Sequence, residues 1–148
     1  MKSRTQARSL ALQVLYEVDL SHHSPAEALQ HRLEETPLPP SLAEFARQIV
    51  LGVHPVAKDL DRVLAHFAPE WPMEEIAAID RNILRIACWE LTMTDTPIKV
   101  AINEAVELAK SYGSENSPRF VNGVLGSVVN RLDEVKQALM AVTPAKEK

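Results

Sequence analysis

Apolar residues recur at helical spacing along nearly the whole chain, and prolines fall where one stripe stops and the next begins. From Ser3, Ala7, Leu10, Ala11, Val14, Leu15 and Val18 line one face of a first helix. Ser24-Pro25 supplies an N-cap and a first-turn proline for a short second helix ending near Glu35. Beyond the proline-rich connector Thr36 to Pro40, Ser41 caps a third helix whose stripe Leu42, Phe45, Ala46, Ile49, Val50, Val53 continues as Val56, Leu60, Val63, Leu64 and Phe67. Pro55 removes a backbone hydrogen bond inside that stripe and predicts a kink or break near Gly52 to His54.

Pro69 and Pro72 close this segment, and a short fourth helix is expected from about Met73. A fifth, from about Ala78 to Met93, carries Ile79, Ile83, Leu84, Ile86, Ala87, Trp89 and Leu91 around most of its circumference, the pattern of an enclosed central helix. Thr96-Pro97 opens a sixth helix running to Tyr112, with an alanine ridge at Ala101, Ala105 and Ala109 and with Gly113 where a left-handed C-cap is expected. Ser117-Pro118 opens a seventh helix with Val121, Val124, Leu125, Val128, Leu132 and Val135 on one stripe. No strand-like alternation interrupts the series, so the fold class is all-α, with about seven helices. One domain over 1–142 and a loose tail at 143–148 are expected.

Composition narrows the function. Four glycines in 148 residues argue against glycine-rich phosphate loops, and the lone Cys88 excludes an internal disulfide framework and a cysteine-cluster zinc site. The five histidines are scattered, with no pair on one helical turn, so no metal is expected. Gly123-x-x-Gly126 follows no strand and reads as close helix contact. Glu104 and Glu107 read with Lys110 as an ion-pair ladder, and Glu90, on an apolar face, as a buried carboxylate with a structural partner. There is no apolar run of roughly 18 residues and no signal-peptide core, which makes a cytoplasmic location, away from membranes, the expectation.

The net charge of −4 is uneven: residues 1–16 carry Lys2, Arg4 and Arg8 with no acid, while the remainder sums to −7. A basic end on an acidic body is a modest signal for a polyanion partner. On the first helix Leu12, Tyr16 and Leu20 form a second apolar face, either sandwiched in the core or reserved for another protein. Phe120, beside Arg119 and near Asn116 and Ser117 at a helix start, is either a rim residue of the core or a stacking and phosphate-binding corner for unpaired nucleotides.

Two stretches carry a resemblance: Val100-Ala-Ile-Asn-Glu-Ala-Val-Glu-Leu-Ala-Lys110, and Ser117-x-x-Phe120-Val-Asn-Gly-Val-Leu125. With Arg4-x-x-Ala7-Arg8, Leu15-Tyr16, Leu84-Arg-Ile-Ala87 and Glu90-Leu91, they resemble the bacterial transcription antitermination factors of the NusB family over about residues 4–130. The resemblance implies two packed helical subdomains, no enzymatic activity and no cofactor. It implies binding to the single-stranded boxA element of nascent ribosomal RNA together with NusE, a small-subunit ribosomal protein, within an antitermination complex on RNA polymerase. Mapped onto this chain, RNA contacts fall on the N-terminal basic segment (Lys2, Arg4, Arg8) and on Asn116, Arg119 and Phe120. The NusE surface falls on Tyr16, with Leu12 and Leu20 on the same face, and on Asp80.

One departure is Arg4-Thr5-Gln6-Ala7-Arg8, where the family often has an unbroken arginine cluster. It implies weaker intrinsic RNA affinity and greater reliance on the protein partner. Two other readings are an accessory module related to the N-terminal domain of ribosomal RNA cytosine methyltransferases, whose glycine-rich cofactor segment is not seen before Lys148, and a homodimeric helical protein using the Leu12, Tyr16, Leu20 face. Monomer and homodimer both remain open at this point.

Overall fold

The computed structural model describes residues 3–142, so Lys2 and the expected tail at 143–148 lie outside the described residues. Eight α-helices and two 3-10 turns, with no strand, make up the described residues, and the chain divides into two compact units, Met1–Pro55 and Val56–Lys148.

The first unit holds α1 (Ser3–Ser21), α2 (Pro25–Glu35) and α3 (Pro40–Val53), each touching the other two. The expected stripe of α1 is buried, but so are Arg8, Ser9 and Leu12. Helix α1 ends where His22 takes a left-handed φ of 64°, a conformation that cannot propagate a right-handed helix. Ser24 then caps α2 by accepting from the Glu27 amide. Arg32 of α2 reaches back to α1, donating to Gln13 Oε1 at 2.7 Å and to Glu17 Oε1 at 3.4 Å. Helix α3 begins one residue before Ser41, with Pro39 at the cap position and no side-chain cap, so Ser41 is not the cap its sequence context predicts. The long third stripe does break: α3 stops at Val53, and a 3-10 turn at His54–Val56 follows, around Pro55.

In the second unit, α5 (Ala78–Met93) is the central helix, touching α4 (Ala57–Phe67), α6 (Ile98–Tyr112), α7 (Ser117–Asn130) and α8 (Leu132–Val142). Ten of its 16 residues are buried, in line with its all-round apolar pattern. Four of the ten are polar or charged: Asp80, Asn82, Arg85 and Glu90. Arg85 grips α4 through both oxygens of Asp61, at 2.8 and 2.6 Å. The short fourth helix expected near Met73 is a single 3-10 turn, Met73–Glu75, and the expected seventh helix is divided at Arg131 into α7 and α8. Arg131 places its guanidinium 4.8 Å from the Phe67 ring centroid while pairing with Glu134.

Gly113 is not a left-handed cap. Its backbone is extended (φ −91°, ψ −169°), and the demand for glycine is steric, because an added Cβ would collide with Ser117 Oγ and lie 2.5 Å from Ser117 Cβ.

Cys88 on α5 is fully buried, and burial pushes its thiol up to about 12. The thiolate is the reactive form, so the native protein at pH 8 is expected to resist a thiol-specific reagent and to react in denaturant. The raised value favours the folded state fully below the ordinary thiol value of 9.0, and that contribution is lost as pH rises toward 12. Rapid labelling of the native protein at pH 8 would contradict the burial.

Candidate nucleic-acid interface

The basic residues of α1 are held by an aromatic ring on α3. The guanidinium carbons of Arg4 and Arg8 lie 4.6 and 5.1 Å from the Phe45 ring centroid, within cation–π range. The two arginines differ in access: Arg4 is exposed, whereas Arg8 is 3% exposed. Arg8 is therefore corrected from a phosphate contact to a buried residue, because the face of α1 that carries it is covered. Further along α1, Tyr16 and Leu20 are 37% and 56% exposed, but Leu12 is fully buried. The second apolar face is thus split, and Leu12 belongs to the core, not to a partner surface.

In the second unit, the start of α7 gathers the other residues. Arg119 and Asn116 are exposed and Phe120 is half-buried. Trp71 meets Phe120 in an edge-to-face contact, with centroids 5.5 Å apart and planes at 83°. Gly123, one turn beyond Phe120, makes room for the indole: a Cβ there would lie 2.5 Å from Trp71 Cζ2. The close contact expected of Gly123-x-x-Gly126 is made by Gly123 alone, and with an indole; Gly126 has open space around it. Glu70, beside Trp71, accepts a hydrogen bond from Ser127 Oγ at 3.1 Å, tying the same connector to α7 a second time.

Asp80 also changes role. It is 8% exposed, in the first turn of α5, where a carboxylate suits the positive end of the helix, and it accepts from Ser117 Oγ at 3.0 Å. Ser117 Oγ in turn accepts from the Ser114 amide at 2.8 Å. Asp80 thus fastens the loop before α7 and is corrected from a surface acid offered to a partner.

Neither Phe45 nor Trp71 stands out in the sequence as a site residue. Phe45 sits in a regular core stripe, and only its aromatic identity, opposite a basic helix, distinguishes it. Trp71 lies between Pro69 and Pro72 in a connector without periodicity, where a large aromatic is itself the only signal. Among the described residues no group of three His, Cys, Asp or Glu could hold a metal ion, and no helix is long and apolar enough to cross a membrane. Lys110 pairs with Glu107 at 3.1 Å, as an ion-pair ladder on α6 requires.

The profile of the NusB family matches residues 5–130. The chain belongs to the NusB family. Among relatives, it is 49% identical to the transcription antitermination protein NusB of Roseiflexus sp. (strain RS-1), over 88% of this chain and 94% of that one. Among solved structures, T. maritima NusB superposes with a TM-score of 0.75 at 31% identity, covering 90% of each chain. A chain from a crystal structure of the antitermination factors NusB and NusE in complex with dsRNA superposes with a TM-score of 0.77 at 26% identity, over 93% of this chain and 98% of that one. The NusB match takes in Phe45, Trp71, Arg119 and Phe120, and Arg4 stands immediately before it.

Proposed function

We propose that this chain is a transcription antitermination factor that binds the single-stranded boxA element of nascent ribosomal RNA together with NusE and supports read-through by RNA polymerase. The observation that carries the RNA reading is the corner at the start of α7, where exposed Arg119 stands beside a Phe120 ring braced edge-on by Trp71, in a chain of the NusB family. A base stacks on Phe120, while Arg119 and Asn116 meet phosphate or base edges. In the first unit, Arg4 and the neighbouring Lys2 supply further phosphate contacts. NusE takes Tyr16 and Leu20, an apolar pair otherwise left in water. The protein acts by binding, in the cytoplasm, and not by catalysis.

Few phosphate contacts on a protein of net charge −4 mean weak RNA binding with a shallow salt dependence, which gains from the second protein. In fluorescence anisotropy with a boxA oligonucleotide and NusE, Phe120→Ala is expected to weaken binding about 5- to 150-fold, the range for loss of one base–aromatic stack. Arg119→Ala is expected to reduce the log–log salt slope by about 0.7, one phosphate contact to a single strand. A variant combining Phe120→Ala and Arg4→Ala that binds as tightly as the unchanged protein would show the RNA face to be misplaced.

A further inference from the structure

We infer that Phe45 is a positioning residue for RNA binding, acting through Arg4. This rests on the proposed RNA contact of Arg4. Arg4 and Arg8 stand one turn apart on α1, so their like charges repel, yet both guanidinium groups gather on a single ring of α3, 4.6 and 5.1 Å from its centroid. The negative face of an aromatic ring attracts cations and offsets that repulsion. Arg8 is buried and Arg4 exposed, so the ring has one guanidinium enclosed beneath the surface and another held at the surface. An exposed arginine ordinarily samples many rotamers, and fixing them is a cost of binding that a preformed contact removes. In the run Arg4-Thr5-Gln6-Ala7-Arg8, Phe45 thereby holds the accessible arginine in place.

The experiment has two arms on the full chain. In the first, the side-chain NMR signals of Arg4 are recorded without RNA. Ring-current shifts are expected in the unchanged protein and in Phe45→Trp, and their loss in Phe45→Leu. In the second, binding to a boxA oligonucleotide with NusE is measured by anisotropy, alongside thermal unfolding of each variant. Phe45→Leu is expected to weaken binding about two- to fivefold, Phe45→Trp to restore it, and Phe45→Leu to add nothing when Arg4 is already alanine.

Unshifted Arg4 signals in the unchanged protein overturn the inference directly. If Arg4→Ala weakens binding while Phe45→Leu does not, the positioning role fails and the Arg4 contact survives. If Arg4→Ala itself binds as the unchanged protein does, both fall. A Phe45→Leu loss that persists undiminished in the Arg4→Ala background, or that Phe45→Trp does not restore, assigns Phe45 a structural role and overturns the inference as well.

Discussion

Asp61→Ala is expected to lower the unfolding free energy by about 1.5–3 kcal/mol, and Arg85→Met by less. The asymmetry follows from where the two charges sit. The Arg85 side chain is 9% exposed and that of Asp61 34%. Removing Asp61 takes both carboxylate oxygens from a guanidinium in the interior, which still donates to Asn82 Oδ1 at 3.3 Å and keeps its charge. Removing Arg85 instead leaves a carboxylate that water already reaches, while the methionine refills much of the volume. Urea denaturation of the two variants distinguishes the cases. An Asp61→Ala loss below about 1 kcal/mol would mean that the bidentate pair does not hold α4 to α5.

Leu12→Ala is expected to cost about 2–5 kcal/mol, the range for emptying a leucine site in a core. Leu20→Ala, two turns further along the same helical face, is expected to fall within about 0.5 kcal/mol of the unchanged protein. The contrast reflects 0% against 56% exposure. Function should separate in the opposite sense: Leu20→Ala and Tyr16→Ala weaken association with NusE while the fold stays intact, whereas Leu12→Ala weakens it only through lost stability. Denaturation curves and a NusE titration on the same preparations test both halves. A Leu12→Ala protein as stable as the unchanged one would return Leu12 to the exposed face.

The error over Leu12 shows what periodicity carries. Apolar residues at i, i+3 and i+4 mark a face, and the faces of α1, α5, α6 and α7 were legible because each is covered along its length. Periodicity says nothing about how far along the helix the cover extends, so one stripe on α1 could be core at Leu12 and surface at Tyr16 and Leu20. The break at Pro55 was readable because a missing amide is a local fact, whereas the division at Arg131 carries no such residue. Arg8 and Asp80 were misread for a common reason: charge predicts a preference for water, but a ring or a helix start reached from elsewhere in the fold offers the charge a partner inside. At the α7 corner, Arg119 and Phe120 could be picked out through local adjacency. Trp71 could not, since its contact with Phe120 spans 49 positions of chain and follows from tertiary packing alone.

The Ser117 hydroxyl, which donates to Asp80 while accepting from the Ser114 amide, has a consequence for how the molecule opens. Fraying of the first turn of α7, the ordinary fate of a helix end, would strip a buried carboxylate at the start of α5 of its donor. The penalty ties the two helix starts into one cooperative step, so the surface carrying Arg119 and Phe120 inherits the rigidity of the most enclosed helix in its unit.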